Sequence, residues 1–332
     1  MKAYSLQVAD TRVLLERADR PIPQPGPGQV LVKMHAAALN RGELIPGGLA
    51  KPGPAKPAGS EGAGEIAALG EGPSLGGDGR ALHIGARVMG RCNGAFAEYA
   101  LMDAREALPV PAALNMEQAC AVPLSFLVVH DMLVLQGQLK ANEWLLVTGV
   151  SSGTGVAALQ AAKALGARVI GTSGSADKLA SLKPLGLDVG LNTRQPDFAQ
   201  AVLEATAGQG VDLVVNTVGG SVFAECVRCM AFEGRMAIVG YVDACLSAPF
   251  DLQAVHTRRL RLFGVSNKQR NADQKAAAIP DFMARLWPAL ADGRIRPLID
   301  RVYAFDELTQ AQAHMEANQH LGKIVLRIAA AD

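Results

Sequence analysis

Gly149, Gly153 and Gly155 punctuate the run Trp144–Thr172, WLLVTGVSSGTGVAALQAAKALGARVIGT. Glycines placed between a strand and a helix leave no side chain in the way of a ligand that must approach the backbone. Free backbone N–H groups at the start of the following helix can then bind an anion without any basic side chain. Ser152 and Thr154 lie inside the same turn. Strand, glycine-rich turn, helix and strand together form the unit that presents a helix N-terminus to a dinucleotide pyrophosphate. The run is not a strict GxGxxG, because Val150 and Ser152 occupy two of the glycine positions. Similar turns also occur in folds that bind phosphate loosely or not at all, so the spacing alone leaves both readings open.

The elements that must hold this turn are readable on either side of it. Leu145–Val147 is a short buried strand, and the helix runs from about Gly155 to Leu165, with Gln160 and Lys163 on one face. Gly166 ends that helix, and Arg168–Thr172 begins the next strand. Further on come a helix near Ala176–Leu185, a strand near Val189–Asn192, a helix near Asp197–Ala207 and a strand at Val211–Asn216. A helix near Ser221–Phe232 and a strand at Arg235–Val239 complete the alternation. Strands alternating with helices predict a parallel sheet covered on both faces. Residues 1 to about 120 read instead as β-rich: in Val30–Ala36, Val32, Met34 and Ala36 alternate with Lys33 and His35. PIPQPGPGQ and PGGLAKPGPAKPAG around it are loops, and Leu75–His83 is a surface turn. The tail from about 263 reads as strand-rich, with a helix near Phe305–Gln319 and a closing strand at Lys323–Ile328.

Composition narrows the function classes. The 332 residues suggest about two domains, and 49% hydrophobic content is ample for buried cores. A net charge of +1 gives no global field for nucleic acid or an acidic membrane. The N-terminus MKAYSLQVAD has no apolar signal core, and the most apolar stretch, Ala119–Leu135, is broken by Pro123, Ser125, His130 and Asp131. Five cysteines (92, 120, 226, 229, 245) show no disulfide framework. The expectation is a soluble cytoplasmic protein with no nucleic-acid or membrane partner. Arg258, Arg259 and Arg261 form only a local basic cluster beside a predicted strand, Leu260–Val265, that is a candidate edge for pairing in a dimer.

Pieces distributed along nearly the whole chain carry a family resemblance. PGPGQVLVKMHAAALNRGEL, PAGSEGAGEIAALG, GARVMG, GAFAEYALM, the Gly149–Gly155 turn, ASLKPLGLD, DLVVNTVGG, GRMAIVG and HLGKIVLRI occur in the right order. Together they resemble the medium-chain dehydrogenase/reductase superfamily, and within it the zinc-free quinone oxidoreductase (zeta-crystallin-like) branch. The resemblance implies an α/β protein: a doubly wound parallel Rossmann sheet at 121–262, inserted in a GroES-like β-rich catalytic domain made from 1–120 and 263–332. It also implies a cofactor cleft between the domains and a homodimer.

Zinc enzymes share that scaffold, and catalytic zinc needs about three Cys, His or carboxylate ligands. By the resemblance, the ligand positions fall on Asn40, on Ser60 and within Ala121–Leu127, which holds no Cys, His or acid; Cys120 is a few residues too early. The structural-zinc lobe is short and has only Cys92. Cys226 and Cys229 have CxxC spacing but lie in a predicted helix without a second pair, where packing is the simpler role. The expectation is no metal.

Cofactor choice turns on the end of the second parallel strand, where an NAD enzyme places an acid. Here Gly171–Ser175 offers Thr172 and Ser173, no acid before Asp177, and then Lys178. Small hydroxyls and a lysine suit a 2′-phosphate, which predicts NADPH, although Lys178 also fits a solvated first-turn position. Thr193 replaces a tyrosine common in the family, and the adjacent Arg194 is a substitute phosphate partner. The remaining cofactor candidates are Asn192, Asn216, Gly240, Ser266 and Asn267. Asn40 is placed to hydrogen-bond the substrate carbonyl or the nicotinamide ribose. Tyr241 either covers the nicotinamide, donates a proton to the reduced product, or packs between domains. Glu43 reads as a loop-anchoring acid, Glu61 as a partly buried structural acid near the site, Lys323 as structural, and Val128 replaces a threonine common in the family. The implied activity is NADPH-dependent reduction of a quinone or α,β-unsaturated carbonyl, a small-molecule substrate, without zinc. Reduction of an enoyl thioester or alkenal, and a non-catalytic NADPH sensor, are the alternatives.

Overall fold

Apolar runs bounded by glycine and polar turns decide the central architecture. In the strand Trp144–Thr148 every residue is buried, as expected where both faces of a sheet are covered. The structure, a computed structural model, describes residues 1–9, 12–45 and 52–328, so positions 46–51 of the loop read at PGGLAKPGPAKPAG lie outside it. The chain divides into two compact units, Met1–Leu127 with Arg270–Asp332, and Val128–Gln269. Each boundary lies slightly C-terminal to the sequence expectation.

Val128–Gln269 contains a six-stranded sheet. Its spatial order is Val189–Asn192, Arg168–Ser173, Trp144–Thr148, Val211–Asn216, Met230–Ile238 and Arg261–Gly264. Every pairing is parallel, and numbered along the chain the order is 3-2-1-4-5-6, the dinucleotide-binding arrangement. Leu146, Ile170, Val214 and Met236 from four strands meet Val202, Phe223, Cys226 and Val227 from helices in one core. Cys226 and Cys229 are both fully buried there as free thiols. Arg235 anchors the segment before the first strand. Its guanidinium donates to the carbonyls of Gly137 and Gln138 and to both oxygens of Glu143.

The other unit is β-rich, as expected. Gln29–Ala38 lies inside a seven-stranded sheet, pairing antiparallel with Glu61–Leu69, Tyr99–Asp103 and Lys323–Arg327. Its alternating face packs Val30, Val32 and Met34 against Ile66, Val88 and Met102 and against Leu308, Ala311 and Met315 of the helix Leu308–Glu316.

Two element readings are corrected. The helix expected at Ser221–Phe232 spans only Phe223–Arg228, and Met230 already belongs to the next strand. The ladder captures the chain there, since Val211 N donates to Cys229 O at 2.8 Å and Met230 pairs with Val211. The tail is not uniformly strand-rich: helices Ala272–Ala276, Ile279–Arg285 and Trp287–Ala291 precede its first strand, Ile299–Ala304.

Candidate functional site

In the parallel-sheet unit, the candidates gather at one edge because parallel strands share a direction. Gly149–Gly155 follows the first strand, Thr172 and Ser173 end the second, Asn192 ends the third and Asn216 the fourth. Gly240 and Tyr241 follow the fifth strand, and Ser266 and Asn267 follow the sixth. Ligands of open parallel sheets bind outside these carboxyl ends.

Inside the turn, hydrogen bonds divide the backbone amides into two sets. Gly149 N donates to Thr172 Oγ1 at 3.2 Å, Val150 N to Thr172 O at 3.0 Å, and Ser152 N to Gly149 O at 3.1 Å. Ser152 caps the helix Gly153–Ala164, its hydroxyl accepting from Gly155 N at 3.0 Å. Among the described residues, the amides of Ser151, Gly153 and Thr154 donate to no protein acceptor. Thus Ser152 and Thr172 shape the turn through their hydroxyls, while Ser151, Gly153 and Thr154 leave three N–H groups for an anion at the positive helix end. Two glycines make the packing possible. Gly149 has φ +66°, and a Cβ on Gly155 would lie 2.6 Å from Gly149 O and 2.7 Å from the Val150 backbone.

At the second strand, Ser173 and Ser151 hydroxyls pair at 3.3 Å, and Ser175 caps the helix Ala176–Leu182 by accepting from Lys178 N. Lys178 therefore sits in that helix's first turn. Arg194 is exposed, lies across Gly174 where a Cβ would be 2.0 Å from its Nε, and makes no ion pair or side-chain hydrogen bond among the described residues. Asn216 is buried and spent on its own turn. Its Oδ1 accepts from Val218 N and Gly219 N, and its Nδ2 donates to Gly219 O. The side chain thus builds the loop and offers a ligand only the neighbouring backbone. Thr217 closes against the first strand, donating to Thr148 O at 2.6 Å.

Sequence reasoning missed Asp243. Its carboxylate accepts from Ser221 N at 2.8 Å, from Ser221 Oγ and from Cys245 N at 2.9 Å, tying the loops after the fourth and fifth strands. No local signal marks this contact, because Ser221 is 22 residues away. Tyr241 is half-buried, and its hydroxyl has no hydrogen bond among the described residues. Ser266 is exposed and accepts from Lys268 N at 3.3 Å.

Asn40 belongs to the β-rich unit, where it is half-buried in a polar cluster. Asn40 Nδ2 donates to Glu61 Oε1 at 2.9 Å, and Asn40 Oδ1 accepts from Lys323 Nζ at 2.8 Å. Both polar ends of the amide thus have protein partners. Glu61 is completely buried and Lys323 is 6% exposed. Glu43 accepts from Gly59 N and Ser60 Oγ, each at 2.7 Å, which holds the loop before Glu61 as its anchoring role requires. Burial pushes the Glu43 carboxyl above the ordinary carboxylate range, outweighing the hydrogen bonds from Ser60 and Gly59 that pull it down. A raised carboxyl binds its proton more tightly when folded. Its contribution to stability is therefore present below the unfolded pKa and lost as pH rises through the folded one. Glu43→Gln cannot titrate, so its Tm should gain on that of the unmutated protein as pH rises above the ordinary carboxylate range. Parallel Tm–pH curves for the two proteins would contradict this account of Glu43.

The comparisons with known proteins agree with this geometry. Residues 26–112 match the alcohol dehydrogenase GroES-like domain, and 153–282 match the family described as zinc-binding dehydrogenase. A mycobacterial protein solved in complex with NADPH superposes with a TM-score of 0.87 at 27% identity, covering 99% of this chain and 100% of that one. A mycobacterial quinone oxidoreductase structure superposes at 0.82 and 27% identity with the same coverage. Bovine (Bos taurus) prostaglandin reductase-3 is 36% identical over 230 residues, 68% of this chain and 59% of that protein. A phenolphthiocerol/phthiocerol polyketide synthase of Mycobacterium tuberculosis is 29% identical over 308 residues, which is 92% of this chain but only 14% of that relative. The chain belongs to the medium-chain dehydrogenase/reductase superfamily. Within it, the likenesses lie in the quinone oxidoreductase-like branch.

Proposed function

We propose that this protein uses NADPH to reduce a quinone or an α,β-unsaturated carbonyl by two electrons, without zinc. The carrying observation is the carboxyl edge of the parallel sheet. There three unspent amides meet an open glycine turn, and the second strand ends without an acid. These residues fit a dinucleotide: the amides suit the pyrophosphate, and Lys178 with Arg194 suits a 2′-phosphate. The likeness to a structure holding NADPH supports the same cofactor.

The donor set does not suit zinc. Asn40 is engaged with Glu61 and Lys323, and Ser60 Oγ donates to Glu43 Oε2 at 2.7 Å. Among the described residues, no three His, Cys, Asp or Glu side chains are grouped to hold a metal.

When bound, NADPH supplies the hydride; the chain supplies orientation and a proton. The Ser151, Gly153 and Thr154 amides would hold the pyrophosphate, and the Tyr241 hydroxyl, or water, would supply the proton to the reduced product. Among the described residues no helix is long and apolar enough to cross a membrane. The setting that goes with the reading is a cytoplasmic enzyme on a small-molecule acceptor. Among the described residues the strand Arg261–Gly264 ends the sheet order without a further strand beside it, an edge that suits a homodimer.

A steady-state screen of quinones, enones and enoyl thioesters with NADPH tests the reading, and turnover of none sinks it. Tight NADPH binding with no turnover would instead mark a sensor. The prostaglandin reductase and polyketide synthase likenesses favour enones and enoyl thioesters as a second acceptor class. Lys178→Ala should weaken NADPH about fivefold, the value of roughly one partly exposed charge contact, and leave NADH binding unchanged. Equal losses for both cofactors would remove Lys178 from the 2′-phosphate.

A further inference from the structure

We propose that Lys323 is a positioning residue that, together with buried Glu61, locks the Asn40 amide in one orientation, leaving its weakly used second N–H available to the acceptor's oxygen. This rests on the reductase reading above.

The geometry is a closed ring of three side chains. Lys323 Nζ donates to Leu39 O at 3.0 Å, Asn40 Oδ1 at 2.8 Å and Glu61 Oε1 at 2.7 Å, which uses all three of its protons. Glu61 Oε1 also accepts from Asn40 Nδ2 at 2.9 Å, and Glu61 Oε2 accepts from Leu124 N at 2.7 Å, inside the helix Pro123–His130. Rotating the amide by half a turn would put its oxygen against the carboxylate and its NH2 against the ammonium. Both contacts would be repulsive, so one orientation is enforced. The second Nδ2 hydrogen has only Ala38 O, at 3.5 Å, and is the weakly used donor of a half-buried residue. An ammonium on Oδ1 withdraws electron density from the amide and strengthens that remaining N–H.

Stability is a poor explanation for the ring. Replacing a buried ion pair by apolar side chains of similar size is often neutral or stabilising. A polarised, fixed donor matters more where negative charge develops on an oxygen, as on the enolate or hydroquinone anion that hydride addition leaves behind.

The test compares the unmutated protein with Lys323→Met, the double variant Glu61→Leu/Lys323→Met, and Asn40→Ala. Each is read by Tm, NADPH affinity, acceptor kcat and KM, and the Asn40 side-chain amide NMR resonances. Lys323→Met should unfold readily, because it leaves the Glu61 charge buried alone. The double variant should regain the Tm and bind NADPH within about twofold, yet keep a kcat about 100-fold low, the loss typical of one oxyanion donor, with acceptor KM little changed. Asn40→Ala, which keeps the ion pair, should show the same kcat loss. In the unmutated protein the Asn40 amide protons should be shifted downfield and protected from exchange, and in the double variant they should not. Recovery of kcat in the double variant, full activity in Asn40→Ala, or solvent-like Asn40 resonances in the unmutated protein would each overturn the proposal. If the unmutated protein turns over no acceptor while its Asn40 amide is held, the reductase reading fails and the locked orientation stands.

Discussion

Gly155→Ala is expected to weaken NADPH binding at least tenfold, about 1.4 kcal/mol, although helix propensity alone favours the change. Propensity would contribute up to about 1 kcal/mol of stabilisation, since Gly155 lies in the first turn of Gly153–Ala164. Against this, the new Cβ would lie 2.6 Å from Gly149 O and 2.7 Å from the Val150 Cα and carbonyl carbon. These are backbone atoms, so no rotamer change relieves the contact, and overpacking of this kind costs about 1–3 kcal/mol. The cheapest relief is to move the helix start away from the turn. That displaces the Gly153 and Thr154 amides, which the proposed function assigns to the pyrophosphate. Stability is thus expected to change little or fall slightly, while affinity falls clearly. Calorimetric titration with NADPH and a thermal melt separate the two effects, and an unchanged Kd would show that the turn does not hold the cofactor.

The parallel sheet was legible because its strands are short apolar runs closed by glycine or polar caps. Val189–Asn192 and Val211–Asn216 are strands with the bounds expected. Where an apolar run joins two elements without such a stop, as at Cys229–Phe232, periodicity cannot separate a helix end from a strand start. The tail helices did carry signals. Asn271 and Gln274 form a capping box, and Pro280 and Pro288 sit in first turns. A strand-rich reading of the tail passed over them.

The site was legible at the level of position and only partly at the level of role. Glycine spacing located the turn, but nothing local said that Ser152 would cap the helix, that Thr172 would hold Gly149 N, or that Asn216 would be spent inside its own loop. The Glu61–Lys323 pair joins residues 262 positions apart, and a lysine and an acid that far apart carry no mutual pattern in one sequence.

Long-range closure of this kind gives the second large expectation: Asp243→Ala should lower the Tm by about 4–8 °C and weaken NADPH about tenfold. Asp243 N donates to Val218 O at 3.0 Å and Gly220 N to Cys245 O at 2.9 Å, so the two loops already share a backbone seam. The carboxylate completes the seam by accepting from Ser221 N, Ser221 Oγ and Cys245 N. Gly219, at φ +131°, makes the room, since a Cβ there would lie 2.0 Å from Asp243 Oδ1. Truncation leaves the Ser221 and Cys245 amides without their charged acceptor. Hydrogen bonds to charge contribute about 1.5–3 kcal/mol each, and water replaces part of that in a half-exposed loop, so a net loss of about 2 kcal/mol is reasonable. The loss falls on the loops that follow the fourth and fifth strands, and the second of these carries Tyr241. Asp243→Asn keeps the shape and should recover about half of the stability, because one oxygen still accepts. Gly219→Ala should reproduce the Asp243→Ala defect from the other side, through strain at positive φ and displacement of the same carboxylate. If Asp243→Ala binds NADPH within about twofold of the unmutated protein, below about 0.5 kcal/mol, the two loops do not set the cofactor's position.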